Sequence, residues 1–86
     1  MINKSFLDSL IKKVDIVDII SKYIFLNKIG NNYLSKCPFH FEKTPSFIIN
    51  NSKQYYYCFS CKVHGDVIQF LIDYKKMSFL DSVRFL

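Results

Sequence analysis

Apolar residues recur at helical spacing at the start of the chain, where Phe6, Leu7, Leu10 and Ile11 share one face of residues 4–13. A second stripe, Ile16, Val17, Ile19, Ile20 and Tyr23, follows Asp15. A short carboxylate at that position accepts from the first free N–H groups of a helix, and Asp18 adds negative charge to the first turn. A helix over 15–23 is therefore predicted. From Ile24 the pattern changes. Residues 24–29 read as a strand, Gly30-Asn31-Asn32 as a turn, and Tyr33 to Lys36 as the returning strand of a hairpin. After a loop over 41–45, which Pro45 shapes and closes, Ser46 to Ile49 and Gln54 to Tyr57 repeat the hairpin around Asn50-Asn51-Ser52. Helical spacing then returns. Asp66 reads as the N-cap of a helix from Val67 to about Lys75, and Ser78 with Asp81 as a capping box that opens a last helix. That helix meets Leu86 without a stop signal, which predicts a piece of a longer protein.

The predicted fold is α+β: one domain over 1–86, with a small antiparallel sheet of two hairpins flanked by N- and C-terminal helices, 1–13 being the N-terminal helix and 66–86 the C-terminal helices. There is no internal repeat. Half of the residues are hydrophobic and 17% are aromatic, so the chain is not disordered by composition. A domain of 86 residues nevertheless buries a limited core, and domains of this size often take reinforcement from a metal or from disulfides. Three cysteines are an odd number, which argues against a secreted disulfide framework and for a cytoplasmic, reducing location. Lys4, Asp8, Lys12 and Lys13 interrupt the N-terminal apolar residues, so no signal peptide is read there. No apolar run approaches the roughly 20 residues that span a membrane.

The cysteines fall into a pattern. Cys37-x-x-His40 and Cys58-x-x-Cys61 are two ligand pairs separated by 17 residues, each where a strand meets a turn. Two donors at i and i+3 in a tight turn converge on one ion, and two such turns supply a closed tetrahedral set of three thiolates and one imidazole. Soft sulfur with nitrogen favours zinc over magnesium or calcium. A closed set leaves no position for water, so the role is structural. His64 is a fifth donor, three residues after Cys61. Its use in place of His40 would leave Cys37-x-x-His40 an orphan pair, and its place before a helix also suits a surface imidazole. Cys58-x-x-Cys61 taken alone resembles a thiol–disulfide pair, but such pairs precede a helix in a βαβ context, and here the context is two hairpins.

Cys37-Pro38-Phe39-His40, Glu42-Lys43-Thr44-Pro45-Ser46-Phe47, Tyr56-Tyr57-Cys58-Phe59-Ser60-Cys61 and Gly65-Asp66 together resemble the N-terminal zinc-binding domain of bacterial DnaG-type DNA primases. Val14 to Ile20, and Phe70-Leu71 with Tyr74, Ser78-Phe79 and Val83, extend the resemblance over roughly 14–86. Phe41 and Lys36 depart from the residues more usual there. The resemblance implies a zinc-ribbon domain that helps a primase read single-stranded template DNA and begin an RNA primer. It implies zinc on Cys37, His40, Cys58 and Cys61. It also implies a separate RNA-polymerase domain, acting in cis or in trans, that holds Mg2+, and a further domain that binds the replicative helicase.

The net charge of +5, reduced to +4 by zinc on three thiolates, suits an acidic partner as well as simple solubility. Single-stranded nucleic acid is held by cations on phosphates and by rings under bases. Lys28, Lys36, Lys43, Lys53 and Lys62 are the candidate cations near the sheet, with Lys43 foremost because it lies in the matching segment. Tyr33, Phe47, Tyr55, Tyr56 and Tyr57 are the candidate rings, of which Tyr33 and Tyr56 are taken as DNA contacts. In a strand over 54–57, Tyr55 and Tyr57 share one face and Tyr56 takes the other, so one set must cover the core. Asp15, Asp18, Asp66 and Asp81 read as helix-start residues, and no carboxylate cluster or Gly-rich phosphate loop suggests catalysis within these residues. Competing readings are a zinc ribbon of a phage or plasmid primase–helicase, a zinc-stabilised protein-interaction module and, disfavoured by the closed site, a self-contained enzyme.

Overall fold

The computed structural model describes residues 3–40 and 43–86; Phe41 and Glu42, part of the predicted loop and of the matching segment, lie outside the described residues. Helices α1 (Lys4–Lys12) and α2 (Ile16–Ser21) come first. Strands β1 (Asn27–Ile29), β2 (Asn32–Ser35), β3 (Phe47–Asn50), β4 (Tyr55–Cys58) and β5 (His64–Gly65) follow, then α3 (Val67–Tyr74) and α4 (Phe79–Phe85). Each helix begins at a polar side chain that accepts from a first-turn N–H: Asn3 from Phe6 at 2.8 Å, Asp15 from Val17 at 2.9 Å, Asp66 from Gln69 at 2.9 Å and Ser78 from Asp81 at 3.0 Å.

The strands form one antiparallel sheet in the order β1-β2-β3-β4-β5. Both predicted hairpins are present, and β2 also pairs with β3, so that they share a single ladder. The strand predicted over 24–29 is shorter, because the amides of Tyr23 and Ile24 still bond to Ile20 and prolong the exit from α2. The fifth strand, absent from the sequence reading, is only two residues long and pairs Gly65 with Tyr56 and His64 with Tyr57. A strand that short carries no period of its own.

One face of the sheet is covered. Phe47, Ile49, Tyr56 and Cys58 project from β3 and β4 onto Val67, Phe70 and Leu71 of α3, with Ile16, Ile19 and Ile20 of α2 and Val83 of α4 completing the buried cluster. Aromatic rings make its centre: Tyr56 lies 5.3 Å from Phe47 and 6.0 Å from Phe70, centroid to centroid. Gln54 joins the β3–β4 turn to a helix. In left-handed backbone geometry (φ 58°), it accepts from the Ile16 amide at 2.8 Å and donates to the Asn51 carbonyl at 2.7 Å. No helix among the described residues is long and apolar enough to cross a membrane.

Candidate metal centre and nucleic-acid interface

The end of β2 and the end of β4 meet beside the core. Cys37 lies two residues past β2, and Cys58 closes β4 opposite Phe47. Phe39, between the donors of the first pair, packs on Tyr56, Phe70, Phe47 and Tyr74 at 5.9–6.1 Å and so anchors that turn in the core. The second turn is closed by backbone bonds from Lys62 N–H to the Cys58 carbonyl and from Cys58 N–H to the Val63 carbonyl, both 2.9 Å. Lys62 takes φ 69° there, which brings the chain back so that the Cys61 amide faces Cys58 Sγ at 3.5 Å.

These two turns bring Cys37, His40, Cys58 and Cys61 together, with their donor atoms all within 4.8 Å of one another. An ion bonded to sulfur at zinc's length of about 2.3 Å needs tetrahedral sulfur–sulfur edges of about 3.8 Å; Cys37 Sγ and Cys61 Sγ lie 3.7 Å apart. The donor set and its spacing thus fit zinc. His64 is outside the group. Its exposed ring lies against Tyr57 at 6.3 Å, nearly parallel to it, and its Nδ1 is 3.2 Å from the Lys62 carbonyl.

The thiols differ in acidity. Burial pushes Cys37 up to about 12, helped by the neighbouring Cys58 and Cys61 and opposed by the Phe39 amide. Burial acts in the same sense on Cys58, but there the Cys61 amide, the Ser46 hydroxyl and the Ser60 amide outweigh it and bring the thiol down to about 6. The Ser46 oxygen is 3.4 Å from Cys58 Sγ. One donor is therefore held ready as thiolate while another keeps its proton until a cation displaces it.

Among the described residues the core helices α2, α3 and α4 all pack on one face of the sheet and leave the other open. Register places Asn27, Leu34, Ile48, Tyr57 and His64 in one row across that face, with Asn32, Asn50 and Tyr55 beside it. Phe59, 58% exposed, meets Tyr57 edge-on at 5.1 Å. Of the predicted cations, Lys28, Lys36, Lys43, Lys53 and Lys62 are all exposed, on strand, turn and ligand-loop positions around the sheet. Residues 24–65 carry these five lysines against Glu42 alone, so most of the net charge belongs to the sheet and its loops.

The two predicted tyrosine contacts do not fit this face. Tyr56 is 0% exposed in the core. Tyr33 pairs with Ile49 on the covered side and packs against the same cluster. Phe47 is fully buried as well. On the open face the rings are Tyr55 and Phe59, which are exposed, and Tyr57, which is half-buried. The alternation along β4 already separated Tyr55 and Tyr57 from Tyr56; Phe59 and the two asparagines had no signal of their own.

An antiparallel sheet whose turns deliver a closed set of three sulfurs and one imidazole defines a zinc-ribbon class of domain. Within that class, residues 2–86 match the family described as the CHC2 zinc finger, of the DnaG zinc-ribbon type, and the chain belongs to this family. It is similar to the DNA primase of Neisseria meningitidis, 50% identical over the whole chain and 15% of that protein. It is also similar to the DNA primase of Buchnera aphidicola, 48% identical over 98% of the chain and 14% of that protein. Among solved structures it resembles the Aquifex aeolicus primase (zinc-binding and RNA-polymerase domains), with a TM-score of 0.84 and 45% identity over 90% of this chain and 19% of that one. The chain thus spans about a seventh of the length of these curated relatives.

Proposed function

We propose that the chain is the template-binding module of a DNA primase, and that it holds single-stranded DNA on the open face of its sheet. The observation that carries this reading is the solvent-facing set Tyr55, Tyr57 and Phe59 on a region of concentrated positive charge. Rings of this kind stack on bases without regard to sequence, at about 1–3 kcal/mol per base, and lysines track the phosphates. One zinc ion on Cys37, His40, Cys58 and Cys61 has a structural role: it ties the ends of β2 and β4 and so fixes the face that β2, β3 and β4 form together. Nucleotide transfer belongs to the whole primase, with an RNA-polymerase domain, in cis or in trans, that uses Mg2+ at its acidic site. The replicative helicase is a partner of the whole protein in the same reading.

The test is titration of the zinc-loaded chain with a fluorescent single-stranded oligonucleotide at several salt concentrations. Binding that weakens steeply with salt and falls about 5- to 160-fold on Tyr57→Ala is expected, the range following from the stacking energy of about 1–3 kcal/mol. Salt-insensitive binding, or a Tyr57→Ala variant that binds as the parent does, defeats the reading.

A further inference from the structure

Ser46 sits where the two metal turns meet. Its N–H donates to the Ser35 carbonyl at the end of β2, at 3.2 Å, and its carbonyl accepts from the Phe59 amide just past β4, at 2.9 Å. The residue is thus fixed by its backbone to both strands that lead into the ligand pairs. Only rotation about Cα–Cβ is left to the side chain, and its oxygen lies 3.4 Å from Cys58 Sγ, 12 positions along the chain. Among the described residues that hydroxyl has no other bond. A metal-bound thiolate has no proton to give, so in the loaded site the hydroxyl donates and the sulfur accepts. Ser35, close to the other turn, is the contrast: its hydroxyl donates to the Lys36 carbonyl at 2.8 Å, so its one hydrogen is already spent.

We infer that Ser46 is a positioning residue of the metal centre: its hydroxyl donates to the Cys58 thiolate, sets the direction of that sulfur and offsets part of the site's negative charge. The inference rests on the zinc reading above and is independent of where DNA lies. Three thiolates on a divalent ion leave one negative charge in excess. Cys61 is exposed and shares that charge with water, whereas Cys58 is 0% exposed and depends on donors that the protein supplies. One of them, the Cys61 amide at 3.5 Å, comes with the turn itself. The Ser46 hydroxyl comes from the residue that opens β3, the strand lying between β2 and β4. It therefore holds the sulfur in register with both ligand-bearing strand ends. Groups that orient a metal's ligands in this way are worth about 10- to 100-fold in metal affinity.

The experiment has two readouts: zinc affinity, by competition with a chromophoric chelator, and the sulfur-to-metal charge-transfer absorption of the chain loaded with Co(II) in place of zinc. Ser46→Ala should lower zinc affinity about tenfold, the lower end of that range because the Cys61 amide remains. It should also move the charge-transfer band to longer wavelength, since a sulfur that loses a donor gives up charge more readily. Ser46→Thr keeps a hydroxyl on the same carbon and should restore both readouts. Ser46→Val has the shape of threonine without the hydroxyl and should behave as Ser46→Ala does. The pair Thr and Val thus isolates the hydroxyl even where alanine loosens the turn. Ser35→Ala removes a hydroxyl that serves the backbone and should leave the band in place. Circular dichroism of each loaded variant shows whether the fold is kept. A band that stands unmoved in folded Ser46→Ala or Ser46→Val, that moves equally in Ser46→Thr, or that moves as far in Ser35→Ala overturns the inference and leaves the zinc reading intact. A parent chain that takes up neither zinc nor Co(II) overturns both.

Discussion

Tyr56→Phe should make the protein more stable. Tyr56 is 0% exposed, and its hydroxyl oxygen is a buried polar atom with no hydrogen-bond partner. Burial, reinforced by the carboxylates of Asp73 and Asp66 and by Cys37, pushes the phenol well above its ordinary value, so the group is a neutral hydroxyl at any working pH. Leaving such a group without a partner costs about 1–3 kcal/mol. Its removal also takes away one oxygen's packing: an added Cβ at Gly65 would lie 3.1 Å from it. That loss offsets part of the gain, and a net stabilisation of about 1 kcal/mol is expected. For a domain of this size it corresponds to a rise in Tm of about 4–8 °C. The ring itself must stay, because Phe39, Phe47 and Phe70 pack on it at 5.3–6.0 Å. Tyr56→Ala should cost about 3–5 kcal/mol. The measurement is urea unfolding of parent and variants at one fixed excess of zinc, since any ligand that binds only the folded state adds its own stabilisation. Loss of 1 kcal/mol or more in Tyr56→Phe would refute the reasoning, by revealing a partner for the hydroxyl.

Four further outcomes follow from the same geometry. A strong chelator should unfold the domain and zinc should refold it, because the ion joins segments otherwise held by a short β2–β3 ladder; circular dichroism unchanged by metal removal would count against a structural ion. Zinc affinity should fall at least about tenfold from pH 8 to pH 7, because Cys37, raised to about 12, loses its proton only as the metal binds, whereas Cys58 at about 6 is already mostly thiolate there; competition titrations with a chromophoric chelator would show the slope or its absence. Gly65→Ala should destabilise by about 1–3 kcal/mol, since its Cβ would sit 2.6 Å from Cβ and Cγ of Gln69, atoms close to the α3 backbone, and thermal melts at fixed zinc would register the change. Lys43→Ala should weaken oligonucleotide binding a few-fold at low salt and leave zinc content unchanged, as suits one screened phosphate contact; equal affinities for parent and variant at low and moderate salt would remove Lys43 from the interface.

Much of this molecule is legible without its structure, because the relevant physics is short-ranged. Asp15, Asp66 and Ser78 announce helix starts, for each needs only an N–H two or three residues ahead. The spacings Cys37-x-x-His40 and Cys58-x-x-Cys61 announce a metal pair each, for a donor at i and another at i+3 in a turn meet whatever surrounds them. Alternation along β4 separates Tyr56 from Tyr55 and Tyr57.

Which of those two sets faces the core was decided by the tertiary structure alone. Phe47, Ile49 and Tyr56 line one side of the sheet, and Leu34, Ile48 and Tyr57 line the other. Both sets are apolar, and the hydrophobic effect carries no direction to choose between them. The choice is made by α2 and α3, which have only one sheet face to cover, and by Phe39, which follows the metal turn onto that same face. The remaining face, left to solvent with its rings, exists because residues as distant as Leu34 and Ile48 become neighbours only when β2 pairs with β3. No local pattern encodes that pairing, so the metal was readable in the chain and the surface it supports was not.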